Sequence, residues 1–389
     1  MLRKFLAIAV AGALAAPGLA LAQSSVTIRG WLHVSVDNIK FSQPVASRTT
    51  TSESRLTDDA SRIIFNVRED LGSGLAAIVQ VDVRPNPDSG AINTSGESYV
   101  GLSSTAGRFT AGRHNFHRNK TPYDGQGLGV TRMARPNALI DYLGGGAVPI
   151  ANATRTPNSL MWSSPKWGGF ALDAGYSFNP ANAAWGSTGA TGSEADLTAG
   201  NTARKGRAWM LNPTFSGQNW HIAYSYWNGK IDAPGAATAA AQLASSDQRS
   251  DQIYGYYTWG GFKLGAMWNK SKLKAAATSG ALAPVGTELS NRTAWSIPIR
   301  YTWGQHNFVA NYTKARDDKV TAAADGARLW AVSYAYSLSK RTFVSLTYVK
   351  LTNDAGALYN LDTNTQSVNS AAGLGEDPRL LSLGVRHNF

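Results

Sequence analysis

Residues 26–37 alternate with a period of two, and no other feature constrains the fold as much. One parity reads Val26, Ile28, Gly30, Leu32, Val34 and Val36; the other reads Thr27, Arg29, Trp31, His33, Ser35 and Asp37. Successive strand side chains point to opposite faces, so this is a strand with one apolar and one polar side. A soluble sandwich would alternate in the same way; the number and length of the repeats discriminate. Phe262, Leu264, Ala266 and Trp268 alternate with Lys263, Gly265, Met267 and Asn269, and Trp295, Ile297, Ile299 and Tyr301 with Ser296, Pro298 and Arg300. The chain closes on Leu381, Leu383, Val385, His387 and Phe389 alternating with Ser382, Gly384, Arg386 and Asn388. Segments of about ten residues suit a strand crossing a membrane at a tilt. Soluble strands average about half that.

Sixteen such segments can be counted, from 26–37 to 380–389, with 204–214 and 249–259 the least regular. Their connections alternate in length. Short ones lie at 71–74, 104–107, 165–168, 216–217, 259–261, 303–305 and 338–340, and long ones at 38–59, 85–96, 115–156, 179–203, 230–248, 271–291, 317–326 and 353–379. The pattern predicts an all-β transmembrane antiparallel barrel of sixteen strands, with short periplasmic turns, long extracellular loops and both termini at the periplasmic rim. Trp162, Trp167, Trp227, Trp259, Trp303, Tyr301 and Tyr348 lie near strand ends and are expected in interfacial girdles.

Residues 1–22 read as a leader. Arg3 and Lys4 precede a short apolar run, and Ala20-Leu21-Ala22 is the small-x-small form of a signal-peptidase site, with cleavage before Gln23. Residues 23–389 form one barrel domain, with no composition shift that would mark a boundary. The chain has no cysteine, so export brings no disulfide framework. It holds 37 basic and 25 acidic side chains; Arg3 and Lys4 go with the leader, leaving 35 against 25. That excess fits an anionic surface or anionic solutes. Nucleic acid is not expected, since the chain is exported and its cations are dispersed singly.

Several motifs resemble one family. Gln23-Ser24-Ser25-Val26-Thr27-Ile28 is similar to the mature start of the general trimeric porins of Gram-negative outer membranes, in their betaproteobacterial branch. Ser61-Arg62-Ile63-Ile64-Phe65 with Glu69-Asp70-Leu71-Gly72 resembles their second strand and first turn. Tyr99-Val100-Gly101-Leu102, Gly112-Arg113, Arg155-Thr156-Pro157-Asn158-Ser159 and the terminal Arg386-His387-Asn388-Phe389 continue the likeness along the mature chain. The resemblance implies a homotrimer, a third loop (115–156) folded into the pore as its constriction, and a terminal strand ending in Phe389 that the barrel-insertion machinery reads. It implies contact with outer-membrane lipid and lipopolysaccharide, and no cofactor or metal.

A diffusion pore works through bore, charge and field. Strand parity points Arg29, Arg62, Arg68, Arg84, Arg155, Lys263, Arg300 and Arg386 inward, against Asp37, Asp82 and Asp173. The resemblance assigns Arg62 and Arg155 to a basic cluster on the wall and Asp82 to an acidic position on the third strand. A third arginine of that cluster would fall at Gly96, and Arg29, Arg84 or a loop arginine are the candidates to replace it. The constriction loop has Asp124 and Asp141 against Arg118, Lys120, Arg132 and Arg135, with His114 and His117 mostly neutral at pH 7. This predicts a cationic eyelet passing small anionic solutes. Arg113 has outward parity, which the resemblance places at the subunit interface. The six histidines show no triad or metal spacing, which argues against an enzyme. A substrate-selective anion porin, a loop-mediated adhesin and a plugged structural barrel remain as alternatives.

Overall fold

A computed structural model describes residues 24–117, 131–143, 148–149, 155–180, 205–232, 246–275, 284–361 and 373–389. Among these, sixteen strands form the barrel wall. The first eight are β1 Ser25–Ser42, β2 in two segments (Ser52–Asp58 and Arg62–Gly72), β3 Leu75–Asn86, β4 Ser98–Ser104, β5 Gly107–Asn115, β6 Arg155–Ser163, β7 Phe170–Ser177 and β8 Lys205–Ser216. The second eight are β9 Trp220–Asp232, β10 Ser246–Trp259, β11 Phe262–Ala275, β12 Glu288–Trp303, β13 His306–Ala315, β14 Ala327–Ser337, β15 Thr342–Asn353 and β16 Asp377–Asn388. Each pairs antiparallel with the next, and β16 returns to β1 from Ser42↔Asp377 to Trp31↔Asn388. At the seam Gly30 and Phe389 exchange two backbone hydrogen bonds of 3.1 Å. Among the described residues the wall closes with no free edge strand, as crossing lipid with strands requires.

The count and the antiparallel order match the sequence expectation, including the two irregular segments, now β8 and β10. These alternate poorly for a local reason. The outward row of β10 carries Arg249 and Asp251 and that of β8 carries Arg207, so the apolar signal fails where the strand rises past the lipid. Several strands also run longer than the alternation suggested: β1 continues to Ser42 and β12 starts at Glu288.

The outward face is apolar. Val26, Ile28, Leu32, Leu264, Ile297, Val332, Leu346 and Leu383 are all exposed there. Two aromatic tiers bound it. Toward the long loops Trp268, Trp295, Tyr312, Trp330 and Tyr348 point outward, with Tyr312 ring centroids 5.3 Å from Trp295 and 4.6 Å from Trp330. Toward the short turns Phe262 lies 4.4 Å from Tyr301 and Phe308 lies 5.2 Å from Tyr334. One expected girdle residue belongs elsewhere: Trp227 pairs with Met210 and Ser250 on the inward face and is fully buried.

The packed core lies inside the barrel, between wall and third loop. After β5, Phe116 packs edge-on against Trp227, and the His117 ring bridges Ser225 Oγ (2.9 Å) and Ser250 Oγ (2.7 Å) on β9 and β10. Farther on, a 3₁₀ turn (Arg132–Ala134) and a one-turn helix (Asn137–Ile140) lay Met133, Ala138, Leu139 and Ile140 on the inward side chains Ala294, Leu329, Val349 and Leu351. These described parts of the third loop therefore lie inside the barrel, packed on the inward side chains of its wall.

Candidate functional site

The wall facing that loop is built around Trp31, which points inward from β1. Arg62 on β2 is its cross-strand partner, and Arg386 comes from β16 on the other side. The two guanidinium carbons lie 4.2 Å and 4.1 Å from the indole centroid. Such cation–π contacts hold guanidinium planes in place without neutralising them.

Asp82 on β3 is the carboxylate of the cluster. Arg84 grips it through both oxygens (Nε–Oδ1 2.7 Å, Nη2–Oδ2 2.6 Å), and Arg62 Nη1 lies 3.8 Å from Oδ2. Asp82 and Arg84 are buried, whereas Arg62 keeps a fifth of its side-chain surface accessible. Bidentate pairing orients the buried partners, and Asp82 neutralises one charge of two. Gly96 packs on this pair: a Cβ there would lie 2.2 Å from Asp82 Cγ. A side chain at position 96 would meet Asp82, and Arg84 stands two residues along β3 from that carboxylate.

Above the cluster, β2 is interrupted between its segments. Ala60 adopts φ 63°, and Asp58 accepts the backbone N–H of Ala60 and of Ser61 at 3.2 and 3.1 Å. The break carries Asp59 to His33, with Nδ1–Oδ2 3.3 Å. Arg135 of the third loop comes within electrostatic reach of both His33 and Arg386. Thus Arg62, Arg84, Arg386 and Arg135 converge from three strands and one loop. Lower on the opposite wall, Lys263 stands opposite Arg300, its ammonium 3.7 Å from the Tyr256 ring centroid.

The loop is fixed to the far wall by Arg292, which is almost fully buried. Its guanidinium donates to the carbonyls of Leu139 and Ile140, the latter at 2.7 Å, and to Asn269 Oδ1 at 3.1 Å. Asn311 Nδ2 donates to the Ala134 carbonyl at 3.3 Å.

Other sequence candidates fall around this centre. Arg29 shares the inward face one position nearer the short-turn rim and is exposed, as is Arg68 at that rim. For Arg155, strand parity does not hold. The β5–β6 register shifts between Thr156 and Ser159, with Asn158 at φ 50°, so Thr156 falls opposite the inward His114 and Arg155 opposite Asn115. Asp124 and the side chain of Arg132 lie outside the described residues. Arg113 pairs with Ser98 and alternates with the inward Gly112 and His114, so it faces outward, half-buried. Sequence reasoning passed over Trp31, Asp59 and Arg292. Asp59 and Arg292 sit at or beyond the strand limits that alternation marked, and the value of Trp31 depends on cations from two other strands.

Comparison with known proteins identifies the family. A family model for Gram-negative porins matches residues 7–356, and the chain belongs to that family. Outer membrane porin protein 32 of Delftia acidovorans is 27% identical over the full length of both chains. The major outer membrane protein P.IB of Neisseria meningitidis is 29% identical over 169 residues, 41% of this chain; the match spans 45% of that protein. Among solved structures, an anion-selective porin from Comamonas acidovorans superposes with a TM-score of 0.72 at 21% identity, covering 94% of this chain and 100% of that one.

Proposed function

We propose that the protein is an outer-membrane channel for passive diffusion of small hydrophilic solutes and ions, that it favours anions, and that it is not an enzyme. One observation carries the selectivity: Arg62 and Arg386 flank Trp31 beside a loop bearing Arg135, while Asp82, the carboxylate of the cluster, is already engaged by Arg84. Selectivity follows the charge at the narrowest section, and low-dielectric walls strengthen its action on a passing ion. The Delftia and Comamonas relatives support this reading.

The mature protein starts at Gln23, residues 1–22 being removed on export, and assembles as a homotrimer. Intact-mass measurement of protein from outer membranes checks the first statement. The selectivity test is the reversal potential of the purified channel in a planar bilayer across a potassium chloride gradient. It takes the sign of chloride preference, and replacing Arg62 and Arg386 together with Ala moves it toward zero. A cation-selective wild-type channel at 0.1 M salt, on the order where the Debye length is still ~10 Å, overturns the assignment. Conductance that saturates with one organic anion would mark a substrate-selective pore instead of a general one.

A further inference from the structure

Cations on the inner wall are interleaved with aromatic rings. Phe343 on β15 stands directly opposite Arg386 and points inward with it, its ring centroid 6.0 Å from the guanidinium carbon. The same ring meets His33 edge-on at 6.1 Å. Trp31 lies on the other side of Arg386, on β1, and carries Arg62 as well. Two rings from neighbouring strands thus flank one guanidinium. Trp31, Arg62, Phe343 and Arg386 all keep part of their surface accessible, whereas His33 is buried. The pairing recurs on the opposite wall, where Lys263 lies against the Tyr256 ring, Arg300 stands opposite Lys263, and His221 stacks on Tyr256 at 5.3 Å.

A pore that had only to attract chloride would be served by arginines in water. A ring laid on a guanidinium replaces water over its flat face with carbon and leaves the in-plane N–H edge as the donor. Among the described residues Arg386 forms no ion pair, and its Nε donates to the neutral amide oxygen of Asn388 at 2.9 Å. For chloride the carbon beside these donors means only lost hydration. For a carboxylate joined to a flat ring it is contact surface: the carboxylate takes the guanidinium edge, and the ring lies against Phe343 and the accessible part of Trp31.

We infer that Trp31, Arg62, Phe343 and Arg386 form a binding subsite for aromatic carboxylates, monoanions whose carboxylate is joined directly to a benzene-like ring. The inference rests on the proposed anion-preferring channel and names a class of organic anion that it takes. Ring contact adds to charge in setting the preference. A site inside a channel has to release what it holds, and the ring contact is small, so the gain over a ringless carboxylate is on the order of tenfold.

The test adds benzoate, acetate or benzamide to the purified channel in a planar bilayer in potassium chloride at neutral pH, and reads the fall in single-channel current. Benzoate should lower the current saturably, with a half-effect concentration about tenfold below that of acetate and of the uncharged benzamide. Phe343→Leu keeps an apolar side chain and removes the ring, and should bring benzoate and acetate to within about twofold of each other. Because the comparison is made within one channel, a general change of bore cancels. Equal half-effect concentrations for benzoate and acetate in the wild type overturn the inference, whatever the variant does. So does a preference that Phe343→Leu retains in full, or benzamide acting as strongly as benzoate. The reversal potential of the same bilayers separates the two readings: chloride preference without benzoate preference sinks this inference alone, and cation preference sinks the anion-preferring channel and this inference with it.

Discussion

At the scale of single residues, the cluster around Asp82 is an arrangement of unequal charge. Two arginines meet one carboxylate, and Trp31 holds the less compensated of them beside Arg386. Replacing Asp82 with Asn keeps the shape and removes the compensating charge. At ~8 Å and an effective dielectric of ~40, one added charge is worth about 1 kcal/mol, a factor of about five in ion partitioning. Chloride gains and potassium loses, so the chloride-to-potassium permeability ratio of Asp82→Asn should rise by up to the square of that factor, about twenty-five, measured as reversal potential; an unchanged or lower ratio would detach Asp82 from the ion path. Arg62 and Arg84 could be found from the sequence because alternation reports which face a strand residue takes. Trp31 could not, since its role comes from two arginines on other strands, Arg386 being the last strand's. Arg155 fails for the complementary reason: a bulge at Pro157 and Asn158 resets the count, and parity carries no sign of it.

At the scale of elements, the third loop and the first and last long loops are each held by one buried charged group. Arg292 serves the third loop by donating to successive carbonyls at the end of its helical turn. Met in its place would fill a similar volume and leave those acceptors unmade, at about 1–3 kcal/mol for a buried group. Arg292→Met should turn a steady unitary current into one with several sublevels, while the barrel's unfolding temperature changes little because the wall hydrogen bonds remain. Glu376 serves the other loops: its fully buried carboxylate accepts from Arg48 (2.6 Å), Val45 N–H (2.9 Å) and Gly373 N–H. Hydrogen bonding to Arg48 first, and to those amides, brings its pKa from the ordinary 4.5 down to about 2. A depressed carboxylate contributes stability above its unfolded value and loses it as pH falls through the folded one. Wild-type unfolding temperature should therefore drop more steeply than that of Glu376→Gln between pH 4.5 and about 2, and parallel curves would contradict the assignment. Neither tie was legible in the sequence. Arg292 and Leu139 are 153 residues apart and Arg48 and Glu376 are 328 apart, and periodicity speaks only of neighbours.

At the scale of the whole molecule, two solvents shape the chain differently. Lipid asks the same thing of every outward residue, so the outer face, the strand count and the order of strands could be read from alternation. The lumen asks something different at each height, and its packing depends on where the third loop settles. Where the outer face breaks its own rule, an assembly contact is the expected cause. Arg113 is outward and half-buried on β5, between β4 and β6. Arg113→Ala should shift unheated gel migration from trimer toward monomer and leave the conductance of a single barrel as it was. Conductance of the intact assembly should also reveal where the selecting charges sit. Arg62 is partly solvated, so mobile ions can screen it, whereas the bidentate Asp82–Arg84 pair is buried. The Debye length falls from ~10 Å at 0.1 M to ~3 Å at 1 M, a change that spans the distance between the wall and a passing ion. Chloride preference should consequently shrink between those two concentrations as measured by reversal potential at a fixed gradient ratio. In the Arg62→Ala, Arg386→Ala channel the preference at 0.1 M should fall, and its further loss on going to 1 M should shrink with it, because the solvated charge at the eyelet that mobile ions screen is gone. Equal salt dependence in the two channels would place the selecting charge on the rims, outside the eyelet.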